Sequence, residues 1–194
     1  MFYTPQQGHG LPHNPFNAIV SPRPIGWISS RCSKGDNLAP YSFFNALAYV
    51  PMQVMFASNG EKDSVRAARE AGVFAANIVG EAALAAMSAT SADLPQGTDE
   101  FVAAGVAKAE CRTIDCPRVA DAPATLECRV TEIMTLKGAD NFLILAEVTG
   151  VHLRDDCLVN GRFDVTRYAP VARLGYRDYT IVREVFEKKR PDDR

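Results

Sequence analysis

The chain has 194 residues, 47% apolar and 23% charged, the balance of an ordinary globular protein long enough to bury a core without disulfide or metal staples. A single domain over residues 1–194 is the simplest reading, with an irregular arm at 1–13 and a polar tail at 183–194. A formal net charge of −2 argues against a nucleic-acid module, and no run has the length and apolarity of a signal peptide or a membrane-spanning helix.

In chain order, Pro5, Gly8, Gly10, Pro12 and Pro15 make the opening segment irregular. Residues 17–20 read as a short first strand. Pro22 and Pro24 hold an extended bend around Arg23, and residues 25–31 follow as a second strand. Ser33 to Asp36 is a turn by its Gly and Asp. Residues 37–39 are extended up to Pro40, and residues 42–48 are extended again. After Pro51, residues 53–58 have a continuous apolar middle and read as a buried strand. Residues 63–71 suit a short helix, with Asp63 or Ser64 as N-cap and Gly72 as the stop. Residues 73–79 read as another buried strand, 81–89 as an Ala-rich helix, 90–100 as a polar loop and 101–109 as a helical turn. Residues 125–136 and 141–153 are long strands joined by a hairpin turn at 137–140, and 180–182 is a short one. Many strands, few helices and no strict alternation predict an antiparallel barrel with helices at its ends, not a doubly wound sheet.

Some of these segments carry chemistry. Ser58 and Asn59 close a strand just before Lys62, Asp63 and Ser64 open a helix. A helix N-terminus with a lysine and hydroxyls suits an anion; the same residues also suit a plain cap beside a solvated lysine. Arg23, fixed between two prolines, suits an anion or a surface ion pair. The run Pro40-Tyr41-Ser42-Phe43-Phe44-Asn45 offers backbone groups, a hydroxyl and an amide to the edge of a heterocycle, while its phenylalanines also suit the core. Trp27, the sole tryptophan, reads as core or interface. His152 ends a strand and reads as structural.

The five cysteines (Cys32, Cys111, Cys116, Cys128, Cys157) are odd in number and form no C-x-x-C pair. Free thiols fit a reducing compartment, so the expected location is the cytoplasm. His9 and His13 lie four apart, but Gly10 and Pro12 oppose the helix that would bring them to one face, and no metal site is expected. Cys32 reads as a small turn residue, with a place beside a ligand as the alternative. No Ser-His-Asp order, phosphate-binding loop, HExxH or GxGxxG is present, so an enzymatic reading depends on a cofactor.

Taken together, Ser21-Pro-Arg-Pro-Ile-Gly-Trp-Ile-Ser-Ser30, Asn37-Leu-Ala-Pro-Tyr-Ser-Phe-Phe-Asn45, Val54-Met-Phe-Ala-Ser58, Lys62-Asp-Ser64 and Arg173-Leu-Gly175 resemble the flavin reductase-like family, the flavoredoxin-type FMN-binding split barrels. The resemblance covers residues 14–182. It implies a mainly β fold, a six-stranded antiparallel Greek-key split β-barrel with a few flanking short helices, forming a homodimer with FMN near the subunit interface. Carried onto this chain, it implies that Pro40, Tyr41, Ser42 and Asn45 line the isoalloxazine and that Ser29 meets the ribityl chain or phosphate. Ser58, Asn59, Lys62 and Ser64 would hold the phosphate, with Arg23 as a helper. Positions 29 and 64 are often threonine in such proteins, and serine keeps the hydroxyl. Residues 168–179 would close over the flavin. The implied activity is NAD(P)H:flavin oxidoreduction, a hydride passing from NADH or NADPH to bound FMN with no catalytic side chain, for a separate monooxygenase component. Two alternatives stand: an FMN electron carrier with a protein partner, and a split barrel holding another ligand such as haem, which the scarcity of histidine disfavours.

Overall fold

Extended segments pair according to the turns that separate them and the two-residue period of their side chains. In the computed structural model of this chain, which describes residues 1–95 and 97–191, seven such segments form one antiparallel sheet. They are β1 (Gly26–Cys32), β2 (Gly35–Tyr41), β3 (Phe44–Tyr49), β4 (Met52–Asn59), β5 (Val73–Ile78), β6 (Ala124–Thr135) and β7 (Asn141–Leu153). Their order across the sheet is β2-β1-β5-β6-β7-β4-β3.

That order forces a barrel. β2 and β3 are the two edges, yet only Ser42 and Phe43 separate them in sequence, a span of at most about 11 Å. In a flat seven-stranded sheet those edges would lie about 29 Å apart. The sheet therefore curls until its edges meet. Gly26 helps: a Cβ there would stand 2.7 Å from the Phe44 ring, so the glycine leaves room for β3 against β1. The barrel has one strand more than the six implied by the resemblance. The turn at Val50 and Pro51 separates β3 from β4, which then pair from Phe44 opposite Phe56 to Tyr49 opposite Met52.

The interior is apolar and aromatic. Phe56 lies 4.8 Å from Tyr41 and 5.1 Å from Phe74, ring centre to ring centre, with Ile28, Phe44 and Ile144 in the same cluster. Each such side chain contributes about 1.5–3 kcal/mol by leaving water. A second cluster, built on Trp27, Leu38, Met87 and Phe101, packs the end helices against the barrel.

Two expected elements are corrected. Residues 17–20 are not a strand: α1 (Phe16–Ile19) is a single helical turn, started by Pro15, whose carbonyl accepts from the N–H groups of Ala18 and Ile19. α2 (Asp63–Ala71) ends on Gly72 at φ 68°, the left-handed conformation that glycine adopts cheaply. α3 (Leu84–Ala89) follows β5. Residues 101–109 are not one helical turn either. Asp99 caps α4 (Glu100–Ala103), and the chain then extends into Lys108–Glu110, paired with Pro117–Val119. The tail segment Val171–Arg173 pairs with both Arg23–Pro24 and Tyr179–Ile181. The last residues of the polar tail, 192–194, lie outside the described residues. Among the described residues no helix is long and apolar enough to cross a membrane, and no cluster of three or more His, Cys, Asp or Glu could hold a metal.

Candidate functional site

Where β2 ends, β4 ends and α2 begins, the chain leaves a cleft of about 420 Å³. Pro40, Tyr41 and Ser42 form one wall, Ser58 and Asn59 another, and Lys62 to Ser64 stand at its end. Strand alternation explains the first two walls: Val54, Phe56 and Ser58 point inward along β4, and the last of them reaches the cleft. Seven of the ten residues singled out from the sequence thus meet in one place: Pro40, Tyr41, Ser42, Ser58, Asn59, Lys62 and Ser64.

The cleft has unspent hydrogen-bonding capacity. Tyr41 is buried, and among the described residues its Oη has no hydrogen-bond partner of normal geometry, although it faces the Ser58 and Ser64 hydroxyls. Burial pushes its phenol above the ordinary value, against the lowering influence of those two hydroxyls. Ser64 Oγ accepts from Asn37 Nδ2 at 2.8 Å, and Ser58 Oγ donates to the Gly60 carbonyl at 2.8 Å. The N-cap of α2 is Lys62, in an extended conformation and without a side-chain cap bond. The expected cap at Asp63 or Ser64 is corrected accordingly: Asp63 is the first helical residue and bridges to Arg66. An uncapped N-terminus presents free N–H groups and positive potential to the cleft. Acidic groups also line it. Glu100 accepts from Leu38 N–H at 3.0 Å, and burial raises its carboxyl above the usual range despite that bond.

Three predicted residues lie elsewhere. Arg23 is buried and gives its guanidinium to backbone carbonyls, Asn17 and Val20 at the end of α1 and Leu174 at 2.7 Å. Ser29 is fully buried behind the sheet, where its Oγ donates to Pro117 O at 2.7 Å and accepts from Asn77 Nδ2 at 3.0 Å. Asn45 is exposed on the outer face of β3, because its neighbour Phe44 takes the inward position, and its Oδ1 accepts from Ala46 N–H at 2.9 Å. Conversely, the sequence reading left out Asn37, Thr90, Ser91 and Glu100, which line the cleft. Asn37 opens the very motif that was singled out, and the other three come from a polar stretch with no periodic signal.

A larger, more apolar cavity of about 840 Å³ lies beyond Trp27, between Ala83, Val106 and Tyr168. Of the ten predicted residues none lines it. The indole lines this cavity, and its Nε1 donates to Oγ1 of Thr90, which lines the cleft, at 2.9 Å. His152 is structural, as read from its position. It pairs with the buried Glu127, which also accepts from Arg112 N–H at 2.7 Å and from the Thr113 hydroxyl and N–H at 2.6 Å. All five cysteines are free thiols.

A family profile described as the flavin reductase like domain matches residues 20–169. An uncharacterized protein of Deinococcus radiodurans is 38% identical over 184 residues, spanning 88% of this chain and 80% of that one. The nitrilotriacetate monooxygenase component B from Bacillus cereus superposes with a TM-score of 0.90 at 27% identity, covering 97% of this chain and 98% of its own. The Pseudomonas fluorescens 2-nitrobenzoate 2-nitroreductase superposes with a TM-score of 0.83 at 28% identity, covering 91% of this chain and 89% of its own. A flavoredoxin of Desulfovibrio vulgaris, at 18% identity and a TM-score of 0.81, shares the fold over 89% of this chain and 93% of its own.

Proposed function

This chain belongs to the flavin reductase like family, flavin-linked oxidoreductases with a split-barrel fold, and from that premise we propose that it binds FMN in the 420 Å³ cleft and reduces it with NADH or NADPH. The observation that carries the reading is the buried Tyr41 Oη, without a hydrogen bond of normal geometry among the described residues, in a hydroxyl-rich wall beside an uncapped helix N-terminus. A buried orphan hydroxyl costs about 1–3 kcal/mol unless something bonds to it. The donor set fits a phosphorylated flavin at both ends. Lys62, Ser64 and the start of α2 suit the phosphate, and Pro40, Tyr41 and Ser42 suit the ring edge.

When bound, FMN supplies the hydride chemistry. The chain's own residues bind and orient. Lys62 neutralises anionic charge at the cleft end. Pro40 holds β2 straight into the wall, Ser42 presents its hydroxyl to the ring side, and the buried Tyr41 Oη faces the Ser58 and Ser64 hydroxyls. No side chain in the cleft needs to act as acid or base. The homodimer belongs to the same proposal. Phe43 borders the cleft at 42% exposure, and Leu47, Tyr49 and Val50 continue an apolar edge strand at 50%, 93% and 93%. A second copy on that edge would cover it and close the cleft. The likeness to a monooxygenase component B supports a monooxygenase as the consumer of reduced flavin. The free thiols support a reducing, cytoplasmic setting.

Titration of the purified protein with FMN, followed by quenching of flavin fluorescence, tests the cofactor assignment. Saturable binding is expected, weakened about tenfold, or ~1.4 kcal/mol, by Lys62→Ala. A protein that leaves FMN fluorescence unchanged would end the proposal.

A further inference from the structure

Beside the cleft lies an annex of about 130 Å³ that shares Pro40, Ser42 and Ser91 with it and is otherwise walled by Ile25, Met87, Arg173 and Tyr179. Among the described residues Arg173 is the only charged one in that wall. Its guanidinium lies 4.5 Å from the centre of the Tyr179 ring, donates to Tyr179 Oη and donates to the Tyr176 carbonyl at 2.6 Å. A guanidinium has five N–H donors, so most of its capacity is left over. Among the described residues no carboxylate forms an ion pair with it, Asp178 of the same turn included.

The strand register makes this arrangement costly. Arg173 is the direct cross-strand partner of Arg23, and like charges placed opposite one another destabilise a sheet. Arg23 is only 7% exposed, has no acidic partner among the described residues either, and its buried Nε has no hydrogen bond. The Arg23 guanidinium is met by the carbonyls of Asn17, Val20 and Leu174, whereas Arg173, opposite it in the register, keeps free donors and has no acidic partner among the described residues.

We propose that Arg173 recognises the carboxylate of a flat organic acid whose ring edge enters the annex beside Ile25, Met87 and Tyr179, next to the flavin-binding wall at Pro40 and Ser42. The inference rests on the flavin reading above and names a substrate class for that site. At about 130 Å³ the annex suits a carboxylate and a ring edge and is too small for a dinucleotide. Ile25, Met87 and the Tyr179 ring favour a carbon skeleton over an inorganic ion. Arg173 is a recognition residue; it takes no proton and donates none.

The test uses benzoate and its uncharged analogue benzamide. Binding is read by fluorescence of Trp27, the sole tryptophan, which packs in the same cluster as Ile25, Met87 and Tyr179. The titrations are run on flavin-free and FMN-loaded protein. Wild type is expected to bind benzoate at least tenfold more tightly than benzamide. Arg173→Gln should abolish that preference, and Arg173→Lys, which keeps the charge but loses the planar fork, should retain part of it. Equal binding of the two probes by wild type overturns the proposal, as does a preference that survives Arg173→Gln. Inorganic phosphate binding as tightly as benzoate, and lost in the same variant, overturns the assignment to a carboxylate. Should Arg173→Gln fail to fold, Arg173→Lys decides: no change in the benzoate preference overturns the proposal. A benzoate preference in a protein that binds no FMN would sink the flavin reading and leave the anion subsite standing.

Discussion

Tyr41 and Ser29 show how differently two buried hydroxyls can be used. Among the described residues Tyr41 Oη is buried without a hydrogen bond of normal geometry, whereas Ser29 Oγ is committed to Pro117 and Asn77. Tyr41→Phe should therefore leave thermal stability unchanged or raise it, while weakening FMN binding about tenfold. Ser29→Ala should do the reverse, lowering stability by about 1–3 kcal/mol with the FMN dissociation constant unchanged. Paired denaturation and FMN titrations check both; a Tyr41→Phe protein with full FMN affinity would remove the main support for the cleft. The cleft was legible at this scale because its residues sit in one motif. Ser29 was not, because residues 26–30 of β1 are buried on both faces, so alternation gives no hint of which face meets the ligand. Arg23 was read for its rigidity, and the same rigidity makes it a clamp on the α1 carbonyls.

At the scale of elements, β6 and β7 were readable from their length and from the hairpin between them. α1 was not: its four residues hide no side chain, so no periodicity marks them, and only Pro15 hints at a helix start. α4 shows the same weakness, being one turn that its Asp99 cap rather than its apolar pattern defines. The bridge from β6 and β7 to the loop at 111–116 runs through Glu127. Burial would raise its carboxyl, but the Thr113 hydroxyl, the Arg112 N–H and His152 outweigh that and hold it at about 2. A folded-state value below the unfolded one, about 4.3, gives stability that is complete above pH ~4.3 and lost as pH falls toward 2. Acid denaturation should fall in that window. Glu127→Gln should flatten the pH dependence there and cost about 3–5 kcal/mol at neutral pH, since an amide cannot accept from all these donors. An unchanged acid profile in that variant would show that Glu127 does not tie this loop to the sheet.

For the whole molecule, the decisive feature is that β2 and β3, two residues apart, are opposite edges of one sheet, which brings the cleft and the apolar edge of β3 to the same side. Sequence reading marked an extended segment at each of the seven strand positions, the 42–48 and 53–58 segments split at Pro51 included, and the count of six came only from the resemblance. Val50→Asp, on the exposed edge, should shift the protein from dimer to monomer in sedimentation velocity and weaken FMN binding with it; a monomeric wild type, or a dimer indifferent to the charge, would refute the edge as the interface. The central claim is that the cleft holds FMN for reduction by a nicotinamide. Its most direct test is the anaerobic visible spectrum of the FMN-loaded protein before and after NADH, and then NADPH. Bleaching of the flavin band by at least one of them within seconds is the expected result. A bound flavin that neither donor bleaches, and that only dithionite reduces, would contradict the reductase and leave an electron carrier in its place.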